Sequence, residues 1–153
     1  MNVQPFLIGE GWIEVRDGND SVRSIFDRHY SRRHAKPQAN GAHLLCVGPG
    51  ERLVLITPCA RAIFAWRRFV NDDGQTGINC AFFRNEGAGL SSSLIREADA
   101  VADMRWPGER HYTYVDERKV LSPNPGYCFL MAGWRRCGRT KRRNYLILER
   151  VPA

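Results

Sequence analysis

The stretch Gly77-Ile78-Asn79-Cys80-Ala81-Phe82-Phe83-Arg84-Asn85-Glu86-Gly87-Ala88-Gly89-Leu90-Ser91-Ser92-Ser93-Leu94-Ile95 carries two kinds of periodicity joined by a glycine turn. Ile78 to Phe83 is a short apolar and aromatic run, which reads as a buried strand. Beyond the turn, Leu90, Leu94, Ile95, Ala98, Val101 and Ala102 recur at helical spacing and make one apolar face. Ser91, Ser92 and Ser93 offer caps at the start of that helix, and Trp106-Pro107-Gly108 ends it. Between the two lies Arg84-Asn85-Glu86-Gly87-Ala88-Gly89. A strand, a glycine-containing turn and a helix N-terminus expose unpaired amides at the positive end of a helix dipole, a setting suited to phosphate. Arg84 would add charge to such a site, with Gly87, Gly89 and Ser91 as its other members. The bland alternative is an ordinary strand-to-helix turn with a surface arginine.

Working outward, 153 residues suffice for one domain, taken as 1–153, with a core of its own. An apolar fraction of 43% and a charged fraction of 25% belong to a globular chain and argue against disorder. The net charge of +7 favours a polyanionic partner: DNA, tRNA or a phosphate-rich cofactor. Five cysteines, an odd number with no Cys-x-x-Cys pair, suggest neither a disulfide frame nor a zinc knuckle and point to the reducing cytoplasm. No signal core and no membrane-spanning run is evident, so no membrane partner is expected, while a homodimer is allowed.

Towards the N-terminus, Gly11 to Val15 reads as a strand closed by Asp17-Gly18-Asn19. Asp20 or Ser21 is placed to cap a helix bearing Val22, Ile25 and Phe26 on one face. That helix runs into Arg28-His29-Tyr30-Ser31, and Ala35 to Gly41 reads as a loop. His43–Val47 and Arg52–Thr57 read as strands around the turn Gly48-Pro49-Gly50-Glu51, and Ile63–Trp66 as another. On the C-terminal side, His111 to Asp116 alternates like a strand, Gly126 to Trp134 suits a helix, and Tyr145 to Glu149 suits a last strand. The whole is α/β in the α+β sense: helices packed on one mixed, largely antiparallel sheet.

Three clusters have usable chemistry. His29, Tyr30 and Ser31 stand at a helix end, where a histidine serves as general base or metal ligand, or merely as a solvated cation. Asp116 ends a strand, and ligands gather at strand carboxyl ends in open α/β sheets, which makes it the first choice for a base; a turn-forming aspartate is the alternative. Ser122-Pro123-Asn124-Pro125-Gly126-Tyr127 loosely resembles the Asn-Pro-Pro-Tyr segment of adenine-N6 methyltransferases, but Gly126 replaces the second proline and no convincing S-adenosylmethionine glycine motif precedes it. The segment survives as a turn carrying a usable amide and ring. Arg61, Arg67, Arg68, Arg135, Arg136, Arg139, Lys141, Arg142 and Arg143 are numerous enough to grip a phosphate backbone, and Trp66, Trp106 and Trp134 could stack bases, although core packing is their commoner use.

Arg84-x-x-Gly87-x-Gly89 resembles the pyrophosphate loop of the GNAT acyltransferases, in which the loop follows the fourth strand and opens the third helix. The strand at 111–116 and the helix ending Ala132-Gly133-Trp134 follow in the same order. Many members of that family place a tyrosine where this chain has Phe129, so either Tyr127 takes over from a shifted helix or the leaving group is not a coenzyme A thiolate. A narrower likeness covers His29-Tyr30-Ser31, Asn79 to Asn85, the serines after Gly89, Tyr114-Val115-Asp116 and Asn124-Pro125-Gly126-Tyr127, which together resemble the phage Mom DNA-modification family. That resemblance implies a GNAT-like transferase placing a carbamoylmethyl-type group on adenine N6 in double-stranded DNA, thereby blocking host restriction. It implies Asp116, His29, Tyr30 and Tyr127 as candidates for catalysis, Arg84, Gly87, Gly89 and Ser91 for the donor, and Ser31, Asn124 and the basic segment for DNA. It leaves the donor open between acetyl-CoA or a related acyl compound and an aminoacyl-tRNA. Iron held by His29, Tyr30 and Asp116 is a further option, and an acetyl-CoA-dependent N-acetyltransferase of small amines or proteins is the competing activity.

Overall fold

Two tryptophans anchor the longest helix to the sheet: Trp12 Nε1 donates to the Leu94 carbonyl (2.9 Å) and Trp66 Nε1 to that of Ala98 (3.1 Å). The structure is a computed structural model that describes residues 11–28, 47, 50–70, 73–120 and 123–152. Its elements are β1 (Ile13–Val15), α1 (Asp20–Phe26), β2 (Glu51–Ile56), β3 (Ala62–Arg68), β4 (Ile78–Asn85), α2 (Ser91–Arg105), β5 (His111–Val115), α3 (Tyr127–Met131), β6 (Arg135–Arg139) and β7 (Leu146–Arg150). They build one seven-stranded sheet in the order β1-β2-β3-β4-β5-β7-β6. Only β4 and β5 run parallel; all other neighbours are antiparallel. The largely antiparallel α+β architecture expected from the sequence is therefore the one observed.

Side-chain alternation divides the core between the two faces of the sheet. Leu53, Leu55, Phe64, Trp66, Ile78 and Cys80 pack with Leu94, Ile95, Ala98 and Ala102 of α2 and Phe129 of α3. The intervening Val54, Ile56, Ile63 and Ala65 pack with Val22 and Ile25 of α1. Covering both faces explains why β3 reads as an unbroken apolar run. Trp66, Trp106 and Trp134 are all buried, so they serve the core.

Several local expectations shift. The N-cap of α1 is Asn19, not Asp20 or Ser21: its Oδ1 accepts from the amides of Ser21 and Val22. The N-cap of α2 is Leu90, with no side-chain cap; Ser91 begins the helix, and its Oγ accepts from Asn85. The helix expected over Gly126–Trp134 is only Tyr127–Met131. The segment His43–Val47 lies outside the described residues except for Val47, which sits at a bend and donates its amide to Asp17. Arg135–Arg139, read above only as a basic stretch, is a strand.

A polar cluster joins α2 to β5 and β7. Asp99 is buried on α2; its carboxylate meets His111 Nδ1 at 2.8 Å and accepts from Trp134 Nε1 at 2.9 Å. Arg150 makes a two-pronged bond to Asp103 one turn on (2.7 and 2.9 Å). Buried donors that lose their acceptor keep their desolvation cost, so Asp99→Ala should destabilise the fold by about 1–3 kcal/mol for each donor left unpaired. Urea unfolding checks this: the midpoint should fall with the slope unchanged, and an unmoved midpoint would remove the cluster from the list of stabilising contacts.

Candidate active site at the fork of the sheet

Strands β4 and β5 pair over only three residues, the last pair being Cys80 with Thr113. Beyond that point β4 stays with β3 as far as Asn85, while β5 stays with β7 as far as Val115. The cause lies in β4. Its register against β3 shifts between Phe82, opposite Ala65, and Cys80, opposite Trp66, which leaves Ala81 as an extra residue. Such a bulge bends its strand and raises its twist, here where β4 leaves β5. Thr113 Oγ1 donates to the Cys80 carbonyl (3.1 Å) and fastens the base of the fork.

A cavity of about 370 Å³ fills the fork. Phe82, Phe83, Val115, Val120 and Phe129 give it apolar walls, and Asp116, Lys119, Cys128, Arg143 and Tyr145 supply polar groups. Of the described candidates drawn from the sequence, Asp116 and Arg143 line it. Burial alone would raise the Asp116 carboxyl, but hydrogen bonds from the Arg118 side chain (3.1 Å) and amide (3.2 Å), with the charges of Arg118 and Lys119, outweigh burial and hold it below the usual carboxylate range. It is an ionised carboxylate at neutral pH. Burial pushes the Cys128 thiol up, against smaller opposing bonds from backbone amides, so it stays protonated. The Tyr114 hydroxyl is likewise raised by burial and by its hydrogen bond to Asp73.

The glycine turn follows β4, the fourth strand among the described residues, and opens α2. Asn85 organises it. Asn85 Oδ1 accepts from the amides of Gly87 (3.1 Å) and Ala88 (2.8 Å), while Nδ2 donates to the Gly89 carbonyl (2.7 Å) and Ser91 Oγ (2.9 Å). Two amides available in principle to an anion are thus turned onto a neighbouring side chain. The first-turn amides of α2, Ser91 to Ser93, have no acceptor within the helix. A Cβ added at Gly87 or Gly89 would meet nothing within 4 Å, so open space surrounds both. Arg84 donates to Glu86 Oε2 (2.7 Å), and Glu86 also takes both prongs of Arg28 (2.6 and 2.8 Å). These bonds, that of Arg28 first, lower the Glu86 carboxyl to about 2.

The remaining candidates are dispersed. Tyr127 is 53% exposed and absent from the cavity lining, although its neighbours Gly126 and Cys128 both line it. Asn124 Oδ1 accepts from Arg136 (2.8 Å). Arg135 pairs with Glu149 and Arg139 with Glu117, while Lys141 and Arg142 are exposed. His29, Tyr30 and Ser31 lie outside the described residues. Among the described residues no group of three His, Cys, Asp or Glu side chains is placed to hold a metal, and no helix is long and apolar enough to cross a membrane. The residues that sequence reasoning missed are Glu86, Lys119, Cys128 and Tyr145, while Arg143, read as a phosphate-backbone contact, also lines the cavity. Glu86 was in view inside the glycine turn, whereas Arg143 and Tyr145 reach the cavity through a strand pairing that no local pattern announces.

No protein-family model matches this chain, and no curated protein matches it either.

A carboxylate with a depressed folded-state value stabilises the fold fully above its unfolded value and loses that contribution as pH falls through the folded one. For Glu86 the window runs from the ordinary 4.5 down to about 2. The stability difference between the parent and Glu86→Gln should therefore be greatest above pH 4.5 and should close as pH approaches 2. Chemical unfolding at a series of pH values measures it, and a difference independent of pH would show that the Arg28–Glu86–Arg84 contact contributes nothing.

Proposed function

We propose that this chain is a DNA-modifying transferase of the Mom type, in which an adenine turned out of the duplex enters the fork and receives a small carbamoylmethyl-type group on N6. The observation that carries the reading is the fork cavity itself: aromatic walls for a flat ring, with an ionised carboxylate in its lining. Support comes also from the glycine turn after the fourth strand and from the strand and helix that follow in the order of the GNAT resemblance. The basic strand β6 offers contacts to a phosphate backbone.

The chemistry asks for such a pocket. The adenine amino lone pair is delocalised into the ring, so attack needs stabilisation of the positive charge that develops on nitrogen. The target atom is also stacked and paired until the base is extruded. In this reading N6 bonds to the activated carbon of the donor, the leaving group departs with its electron pair, and Asp116 takes the released proton. The carboxylate, ionised beforehand, also steadies the nitrogen as it becomes cationic. Because Asn85 and Glu86 already engage two loop amides and Arg84, a coenzyme A diphosphate would have to displace them. That favours a donor presented in another way, such as a charged tRNA. In a phage-infected bacterial cytoplasm the product would shield DNA from restriction.

Expression with plasmid DNA in bacteria, followed by mass spectrometry of the digested nucleosides, tests the proposal. A modified deoxyadenosine heavier than the methylated one is expected, and its absence rejects the reading. General acid–base groups contribute about 10²–10⁴-fold, so Asp116→Asn should lower product yield by at least about 100-fold. Its melting temperature should stay near that of the parent. Acetyl-CoA-dependent labelling of a small amine, indifferent to DNA, would instead favour an ordinary N-acetyltransferase.

A further inference from the structure

Helix α3 turns two large apolar side chains outward at the edge of the fork. Tyr127 is 53% exposed and Met131 is 49% exposed. They are four residues apart on one helix and so lie one above the other on the same side. Scattered apolar residues on a surface need no explanation, but this pair has a specific setting. Gly126 and Cys128, on either side of Tyr127, line the cavity, and Phe129 is buried beneath. The start of the helix packs closely on β7. Gly126 has φ +78°, and a Cβ there would stand 2.6 Å from Leu148 Cδ1, so only glycine lets the turn press onto β7.

Cations surround this apolar tip. Arg96 donates to the Met131 carbonyl (2.6 Å), and Arg136 holds Asn124 in the turn leading into α3 (2.8 Å). Lys119 and Arg143 line the adjoining cavity. Arg135 to Arg143 holds six cations in nine residues. Among the described residues, ion pairs to this segment come from Glu149 and Glu117 alone. An apolar tip at the rim of a base-sized pocket, ringed by positive charge, is complementary to a polyanion whose interior is a stack of flat rings.

We infer that Tyr127 and Met131 form a wedge that enters the base stack of duplex DNA beside the fork, filling the gap from which the target base has been drawn. The inference rests on the DNA-modifying reading and adds how the duplex is opened. Side-chain wedges between base steps unstack and kink the duplex, and the cost is met by the added phosphate contacts of bent DNA. Tyr127 is in this account a positioning residue: it holds the opened duplex, and the reacting atoms lie deeper, beside Asp116. A wedge also unwinds the helix at every bound site, whatever the sequence.

That property gives a readout independent of target sequence and of transferase activity. Closed circular plasmid is relaxed by a type I topoisomerase in the presence of the full chain, then stripped of protein and resolved by gel electrophoresis. The parent should leave a protein-dependent shift towards negative linking number. The double variant Y127A/M131A should still bind the plasmid through its phosphate contacts yet lose that shift, while Tyr127→Trp retains it. Both side chains are half exposed, so unchanged melting curves are expected and serve as the folding control. A parent that binds plasmid without shifting linking number, or a double variant that shifts it like the parent, overturns the wedge and leaves the DNA reading standing. A double variant that unwinds DNA normally but no longer self-associates assigns the stripe to contact with a second copy, again against the wedge. A parent that fails to bind plasmid even at low salt overturns the DNA reading and the wedge together.

Discussion

Everything distinctive about this molecule follows from three backbone rungs. β4 and β5 are joined only at Ile78–His111, Asn79–Tyr112 and Cys80–Thr113. Parallel strands have no turn to hold them together; their crossover here is α2, whose apolar face reaches back across the sheet. The extra residue at Ala81 then bends β4 away, and each strand keeps its outer partner. A gap in a sheet would ordinarily leave unpaired amides and carbonyls in an apolar interior, which is costly. Here the gap lies at the carboxyl ends of the strands, where it becomes a cavity with polar groups at its rim.

Several carboxylates of the fold are held in opposed pairs. Asp116 is held by Arg118, Glu86 by Arg28 and Arg84, and Glu149 by Arg110 and Arg135. Paired in this way, the carboxylates remain ionised, and the surplus of positive charge is left to exposed side chains such as Lys141 and Arg142. The arrangement separates a cavity lined by a single carboxylate from a positively charged exterior. Exposed pairs such as Arg139 with Glu117 contribute little to stability, which is carried instead by the two apolar layers and the buried Asp99 cluster.

Much of the fold was legible because burial writes a period into the sequence. Leu94, Ile95, Ala98 and Ala102 announce α2, and the apolar runs announce β2, β3, β4 and β7. β6 could not be read in this way. Arg135-Arg136-Cys137-Gly138-Arg139 has no apolar alternation, and its strand conformation is imposed by pairing with β7 from outside. The bulge was equally hidden, since Ala81 carries none of the glycine or proline marks of irregular backbone. In the site, Asp116 was visible as a carboxylate ending a strand. The parts played by Asn85 and Glu86 were not, because spacing brings them near the loop without saying which donors they take. Cys128 and Tyr145 come to the cavity from elements far apart in the chain, and only the tertiary fold joins them.

The outermost strand of the sheet has one more consequence. β6 ends the strand order, so one of its margins has no neighbour within the described sheet. A naked margin of this kind is an invitation for copies of the same chain to zip together. Arg135, Arg136 and Arg139 on that ribbon make such zipping repulsive. These guanidinium groups therefore oppose edge-to-edge association between copies. Replacing them would remove that guard against association, and high salt, by screening them, would act in the same direction.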